Sequence, residues 1–284
     1  MTQKTDAGPN ASTSMAFWQS LLGRSVFGHT AFWVRKVASP PTDPLHCDAP
    51  FLHDAEITAV YSGQRVAGDF YEFLRVGPSR MLFVLLDIAG LRADTREILI
   101  AVQKTLRSLA PKLFAGEDFN ETIAMIELCY ALNQTIMGGG LRSCPAFIGC
   151  YNEQLGTLCY ANAGHPPGML RDRTGITLLE ATGLPLGLFS HTTQSAAACH
   201  LVPGSALLVV SRGVLEAGNA EEGDPAAEFG LDGVRRSFHE APVFSAHDVC
   251  LRVLQAVHRF TVTAAPQNDL TTLALVRNMA SDTH

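Results

Sequence analysis

Residues 67–92 read AGDFYEFLRVGPSRMLFVLLDIAGLR, and this stretch decides the fold. Two apolar and aromatic runs, Asp69–Val76 and Met81–Asp87, flank Gly77-Pro78. Runs of that length with a Gly-Pro break predict two strands joined by a turn. Ile57–Tyr61, closed by Ser62-Gly63, predicts a strand before them in meander spacing. Asp69 follows Gly68 at the start of one run, and Asp87 ends the other. A carboxylate at the end of a buried strand is costly to desolvate unless it is paired or bound to a cation. Hard divalent ions such as Mg2+ and Mn2+ take carboxylate oxygens and keep several waters. Two adjacent strand ends can supply such a pair. Equally, Asp87 can cap the helix that begins near Arg92 or bond turn amides. The stretch alone leaves both readings open.

Beyond it, windows 92–113 and 119–137 read as helices. The second places Ile123, Ile126, Tyr130 and Ile136 on or near one face and stops at Gly138-Gly139-Gly140. Strands resume at Ala146–Tyr151 and Thr157–Ala163, joined through Asn152–Gly156 as a hairpin. Further strands fall near 168–171, 176–180, 196–202 and 206–211, then a helix over 246–262 and a last strand, Leu270–Val276. Antiparallel runs with helices paired between them predict α+β layers, not a doubly wound parallel sheet.

Upstream, residues 1–14 read as a disordered tail and 39–50 as a Pro-rich linker. Residues 16–37 hold both tryptophans, Trp18 and Trp33, among Arg24, Arg35 and Lys36. This aromatic arm is expected to pack on the main domain, to form a homodimer contact or to lie on a membrane surface. The expected division is therefore 1–50 for tail, arm and linker, and 51–280 for the folded domain.

The composition excludes several classes. With 27 acids against 21 bases, the net charge of −6 leaves no basic excess to bind a nucleic acid. A hydrophobic share of 47% is too high for a disordered chain. No run approaches the ~18 apolar residues of a transmembrane helix. The seven cysteines are scattered and form no C-x-x-C pair, so they read as buried reduced thiols of a cytoplasmic protein. None of the ten histidines forms an H-x-x-x-H or H-E-x-x-H pair, which leaves a zinc site without support.

Seven segments in order carry a resemblance: AGDFYEF (67–73), LLDIAG (85–90), CYANAGHPPGML (159–170), GLPLGLF (183–189), LLVVSRGVLEA (207–217), EFGLDGV (228–234) and NDLTTLALV (268–276). Together they resemble the SpoIIE/RsbU branch of the metal-dependent PPM (type 2C) protein phosphatases. The resemblance implies a four-layer α-β-β-α sandwich, with two antiparallel sheets flanked by helices. It implies Mn2+ or Mg2+ at one edge of the sandwich and metal-assisted hydrolysis of a phosphoserine or phosphothreonine.

Residue by residue, Asp69 matches the first metal-binding acid and Asp87 the acid that bridges two ions, so both are the expected catalytic residues. The backbone carbonyl of Ile88 is the expected further ligand. Gly68, Gly90, Gly213 and His165 lie beside the site, with His165 in the N-A-G-H segment read as a structural histidine. Ala67 replaces a glycine of the motif, Glu72 stands where a second acid falls, and Leu91 replaces a histidine or lysine. Two departures matter more. The family's T-D-G is Ser211-Arg212-Gly213, and Asn268 replaces an acid, with Asp269 retained one position later as a possible substitute. Asn keeps a carbonyl oxygen without charge, whereas Arg cannot ligate a metal. Both departures fall on the same metal position, so one ion is expected rather than two.

Two functions follow from the resemblance. One is a weakened phosphatase acting on a phosphorylated regulator, a STAS-type anti-sigma antagonist in a bacterial partner-switching pathway. The other is an inactive pseudophosphatase that binds such a partner, with Arg212 in the emptied metal position paired to Asp87.

Overall fold

The run that opens the argument becomes a strand buried along almost its whole length. β3 spans Arg80–Ile88, and every residue after Arg80 is buried. Such a strand shows no apolar–polar alternation because both faces of its sheet are covered. Residues Leu82, Val84, Leu86 and Ile88 face a helical layer, while Met81, Phe83 and Leu85 face the other sheet. The structure is a computed structural model and describes residues 49–63, 68–88, 92–116, 119–140, 143–191, 193–218, 228–243, 245–261 and 268–279. The expected tail, aromatic arm and most of the linker, together with Cys47, Ala67, Gly90 and Leu91, lie outside these residues.

The elements in chain order are β1 (Ala55–Ser62), β2 (Gly68–Gly77), β3, α1 (Arg92–Leu113), α2 (Glu121–Gly138), β4 (Ala146–Asn152), β5 (Thr157–Ala163), β6 (Gly168–Asp172), β7 (Gly175–Leu179), β8 (Ala197–His200), β9 (Ala206–Val210), α3 (Arg212–Leu215), α4 (Gly230–Glu240), α5 (Ala246–Thr261) and β10 (Leu270–Arg277). One five-stranded sheet has the order β1-β10-β9-β6-β7 and the other β2-β3-β4-β5-β8. Every pairing between these strands is antiparallel.

Three apolar layers hold the sandwich. Between the sheets lie Phe73, Phe83, Leu85, Phe147, Tyr151, Leu207 and Leu273. α1 and α2 pack Leu99, Leu106, Leu128 and Leu132 on the β2–β5 sheet. α4 and α5 pack Val234, Phe238, Val249 and Val253 on the other. The α+β, four-layer architecture expected from the sequence is the one observed.

One expectation is corrected, and one element is new. Ile123 and Tyr130 of α2 are exposed, and the buried face is Ala124, Met125, Leu128, Cys129, Leu132, Asn133 and Ile136. Asn133 belongs to it because it donates to the Phe189 carbonyl and accepts from the Gly187 amide, which tie the 187–189 loop to the helix. α4, unanticipated, forms despite Gly230 and Gly233 because Val234 and Phe238 bury one face against α5. The cysteines agree in part. Cys129, Cys144, Cys150, Cys159 and Cys250 are buried free thiols, while Cys199 is half-buried. Burial pushes the Cys129 thiol up to about 12 and the Cys159 thiol to about 11, which leaves them protonated and unreactive. No helix among the described residues is long and apolar enough to cross a membrane.

Candidate active site

β2 begins where β3 ends, and their register places Asp69 directly opposite Asp87. Residues opposed in an antiparallel pair share a face. Here that face is the one between the sheets, at one rim of the sandwich. Gly68 makes the close approach of the strands workable, because a β-carbon there would lie 2.1 Å from the Ile88 carbonyl oxygen. The site therefore starts as two carboxylates and a main-chain oxygen, gathered by one hairpin.

The other sheet completes it. Thr271 of β10 donates from Oγ1 to Asp69 Oδ2 at 2.6 Å. Ser211, at the end of β9, accepts the Thr271 amide on Oγ at 3.0 Å, and its hydroxyl also bonds Asp69. Asp69 is thus held across the gap between the sheets by two hydroxyls. Burial nevertheless pushes its carboxyl up to about 7, with Asp87 and Asp269 adding to the rise and the two hydroxyls opposing it. Burial also raises the Asp87 carboxyl, and the Arg212 cation pulls it back. Two desolvated carboxyls whose negative forms are disfavoured are relieved by a cation.

Asp269 is buried immediately before β10, with Oδ1 against Gly63. Gly213 of α3 presses on the same segment, since a β-carbon there would lie 2.3 Å from the Asp269 carbonyl oxygen. That contact fixes α3 at the rim and brings Arg212 to Asp87. Arg212 Nε lies 3.5 Å from Asp87 Oδ2 and 3.4 Å from Glu216 Oε1. Asn268 Nδ2 donates to Glu216 Oε2 at 3.4 Å. These contacts are longer than the 2.7–2.9 Å usual for charge-assisted hydrogen bonds. With Arg212 half-exposed, each ion pair stabilises the fold by about 1 kcal/mol or less.

Asp69, Asp87, the Ile88 carbonyl, Asp269, Arg212, Asn268, Gly68 and Gly213 therefore converge on one rim. Gly90 lies outside the described residues. His165 packs differently: its ring meets Phe147 edge-on, its Nδ1 faces the Pro166 carbonyl at 3.1 Å, and its amide donates to Asn162 Oδ1. Burial lowers its imidazole to about 4, so it is neutral, and Nε2 has no hydrogen-bond partner among the described residues. Glu72 points to the helical side instead, where Gln103 and Arg107 bond its carboxylate at 2.6 and 2.8 Å. Glu216, Ser211 and Thr271 carried no role in the sequence. Ser211 and Thr271 fall inside motif segments, and Glu216 is an acid four residues after Arg212.

The donors at the rim are of two kinds. The Asp69–Asp87 side offers carboxylate and carbonyl oxygens, which suit a hard divalent ion. The Arg212–Asn268 side does not suit one, because a guanidinium faces Asp87 there. Among the described residues, no group of three or more His, Cys, Asp or Glu side chains is arranged to hold a metal.

The family description Stage II sporulation protein E (SpoIIE) matches residues 77–278, well over half of the chain. The chain belongs to the SpoIIE family. Protein IcfG of Synechocystis sp. is 24% identical over 195 residues, covering 61% of this chain and 31% of that protein. Phosphoserine phosphatase RsbP of Bacillus subtilis is 22% identical over 210 residues, covering 72% of this chain and 49% of that protein. The chain thus spans about a third to a half of these relatives. The structure of the RsbU and RsbW domains of Rv1364c from Mycobacterium tuberculosis shares the fold at a TM-score of 0.64 and 20% identity, covering 82% of this chain and 62% of that one. The catalytic domain of the serine/threonine phosphatase PstP, solved in complex with two manganese ions, shares it at 0.53 and 11% identity, covering 79% and 99%.

Proposed function

We propose that this SpoIIE-family domain is a slow phosphoprotein phosphatase that uses one Mn2+ or Mg2+ ion and acts on a phosphorylated regulatory protein in a partner-switching pathway. The observation that carries the reading is the Asp69–Asp87 pair, opposed across β2 and β3 and desolvated at the rim. Asp69, Asp87 and the Ile88 carbonyl would hold the ion, with Asp269 close enough to Asp69 to add charge. A bound ion there supplies Lewis-acid polarisation of a phosphoryl oxygen and a lowered water pKa. Thr271 and Ser211 hold the Asp69 carboxylate in place from the opposite sheet. Arg212 presents positive charge where a phosphoryl group would arrive. The partner of choice is a STAS-type phosphoprotein, and the place of action is the cytoplasm. Residues 16–37 would contribute a homodimer contact, which deletion of 1–45 tests through the oligomeric state.

A second reading has its own support. The Arg212–Asp87 contact at 3.5 Å favours a pseudophosphatase that binds the phosphoprotein without turnover. One assay separates the two: phosphate release from a phosphoserine peptide across a Mn2+ titration, for wild type, Asp87→Ala and Arg212→Asp/Asn268→Asp. The proposal expects slow Mn2+-dependent release in wild type, none in Asp87→Ala, and faster release in the double variant. Silence of the wild type at every Mn2+ concentration, with gain in the double variant, selects the pseudophosphatase.

A further inference from the structure

Arg212, Glu216 and Asn268 lie together at the rim. Their geometry joins them. Asn268 Nδ2 donates to one oxygen of Glu216, the other oxygen of Glu216 lies 3.4 Å from Arg212 Nε, and the same Nε lies 3.5 Å from Asp87. Each identity makes sense given the others. An acid at 212 would leave Asp87 and Glu216 facing one another without a cation, and an acid at 268 would repel Glu216 where the amide now donates to it. Gly213, pinned on the Asp269 carbonyl, holds Arg212 and Asn268 on the same short piece of rim.

The guanidinium is only partly used. In both contacts Nε is the nitrogen nearest the carboxylate, and among the described residues neither terminal nitrogen donates a hydrogen bond, while the side chain is 53% exposed. An arginine anchored at Nε by two carboxylates keeps its planar pair of terminal nitrogens available, and that pair matches two oxygens of a phosphoryl group.

We propose that Arg212, oriented by Glu216 and Asn268, is a tethered cation standing in for a second divalent ion, and that its terminal nitrogens receive the substrate's phosphoryl group. The inference rests on the one-ion reading above and deepens it. It makes Arg212 a substrate-binding residue and Glu216 and Asn268 its positioning residues. A covalently held cation contributes one positive charge rather than two, yet it is present at any metal concentration. The rim is then half metal-dependent and half metal-independent.

The test uses the full chain and two probes, MnCl2 and inorganic phosphate, followed by calorimetry. Wild type is expected to bind one Mn2+ ion, and Arg212→Asp/Asn268→Asp two. With Mn2+ present, Arg212→Ala should weaken phosphate binding at least tenfold at unchanged Mn2+ stoichiometry. Arg212→Lys, which keeps the charge and loses the planar pair, should fall between. Glu216→Gln should weaken phosphate several-fold, again at one ion per chain. Two ions in wild type, or unchanged phosphate affinity in Arg212→Ala with the fold intact by circular dichroism, overturn the inference. If wild type binds no Mn2+ at all, the one-ion reading fails, and Arg212 is judged by the same tenfold criterion with phosphate in EDTA. If Arg212 passes every arm while phosphopeptide turnover is absent, the inference stands and the proposed hydrolysis falls.

Discussion

The two ends of the sandwich handle charge in opposite ways. β3 carries Arg80 at one end and Asp87 at the other, about 23 Å apart along the strand. At the Arg80 end, ionic groups meet at short range. Arg75 pairs with Glu153 at 2.5 Å, Tyr151 donates to Asp54 at 2.8 Å, and Arg277 pairs with Asp54 at 2.9 Å. Glu153 also accepts the His53 amide, so the chain entering β1 is tied down by side chains from three strands and the β4–β5 turn. At the Asp87 end the pairs lie at 3.4 and 3.5 Å, both carboxyls of the Asp69–Asp87 pair are raised, and among the described residues the terminal nitrogens of Arg212 donate no hydrogen bond. The first arrangement pairs these charges with one another at short range, although Asp54 Oδ1 has no hydrogen-bond partner among the described residues. The second leaves electrostatic demand for something outside the chain. Local departures from a satisfied structure concentrate where binding happens.

The comparison breaks most visibly at Asp87. Asp87→Ala should reduce Mn2+-dependent phosphate release at least 100-fold and leave the melting temperature near that of wild type, as measured by peptide assay and thermal unfolding. A large loss of stability with retained turnover would reverse the roles of the two ends.

pH separates two buried groups of opposite sign. His165 has its folded pKa lowered to about 4, below the unfolded value of 6.5. Its contribution to stability is therefore full above pH 6.5 and is lost as pH falls toward 4, by about 3 kcal/mol. Asp69 in protein freed of divalent ions has its folded pKa raised to about 7 from 3.8. Its contribution is full below pH 3.8 and is lost as pH rises through 7. Thermal melts in EDTA should show Asp69→Asn more stable than wild type above pH 7, with the gap closing toward pH 4. His165→Asn should flatten the acid side of the profile instead.

Arg277→Ala sharpens the other end. It strands Asp54 and frees the Leu201 carbonyl, so urea unfolding should report a loss of about 2 kcal/mol with unchanged Mn2+ affinity. The smallest effect belongs to neither end. Arg252→Ala removes an exposed pair with Glu240 and should change stability by less than about 0.5 kcal/mol in the same titration.

Much of this is legible in the sequence. β3 stood out because a strand covered on both faces reads as an unbroken apolar run, and the hairpin with β2 followed from Gly77-Pro78. Arg212 beside Asp87 followed from motif order, since matching segments brought the two positions to one site. The rest depended on distances between elements far apart in sequence. Thr271 lies 202 residues from the carboxylate it bonds, and its place at the end of the Asn268-Asp269-Leu270-Thr271 motif gives no hint of that bond. The exposed side of α2 is not legible because Ile123 and Tyr130 count as apolar, while Asn133 is buried by two loop hydrogen bonds that the helix itself does not encode. α4 was hidden by its two glycines, and it is held by packing against α5 rather than by propensity.

The central claim is that the rim divides between one divalent ion and one arginine. Anomalous diffraction at the manganese edge, on crystals of the full chain grown with MnCl2, tests it most directly. The account predicts a single manganese peak between Asp69 and Asp87, with the Arg212 guanidinium still beside Asp87 and Glu216. A second manganese between Asp87 and Asn268, with Arg212 turned away, would contradict it.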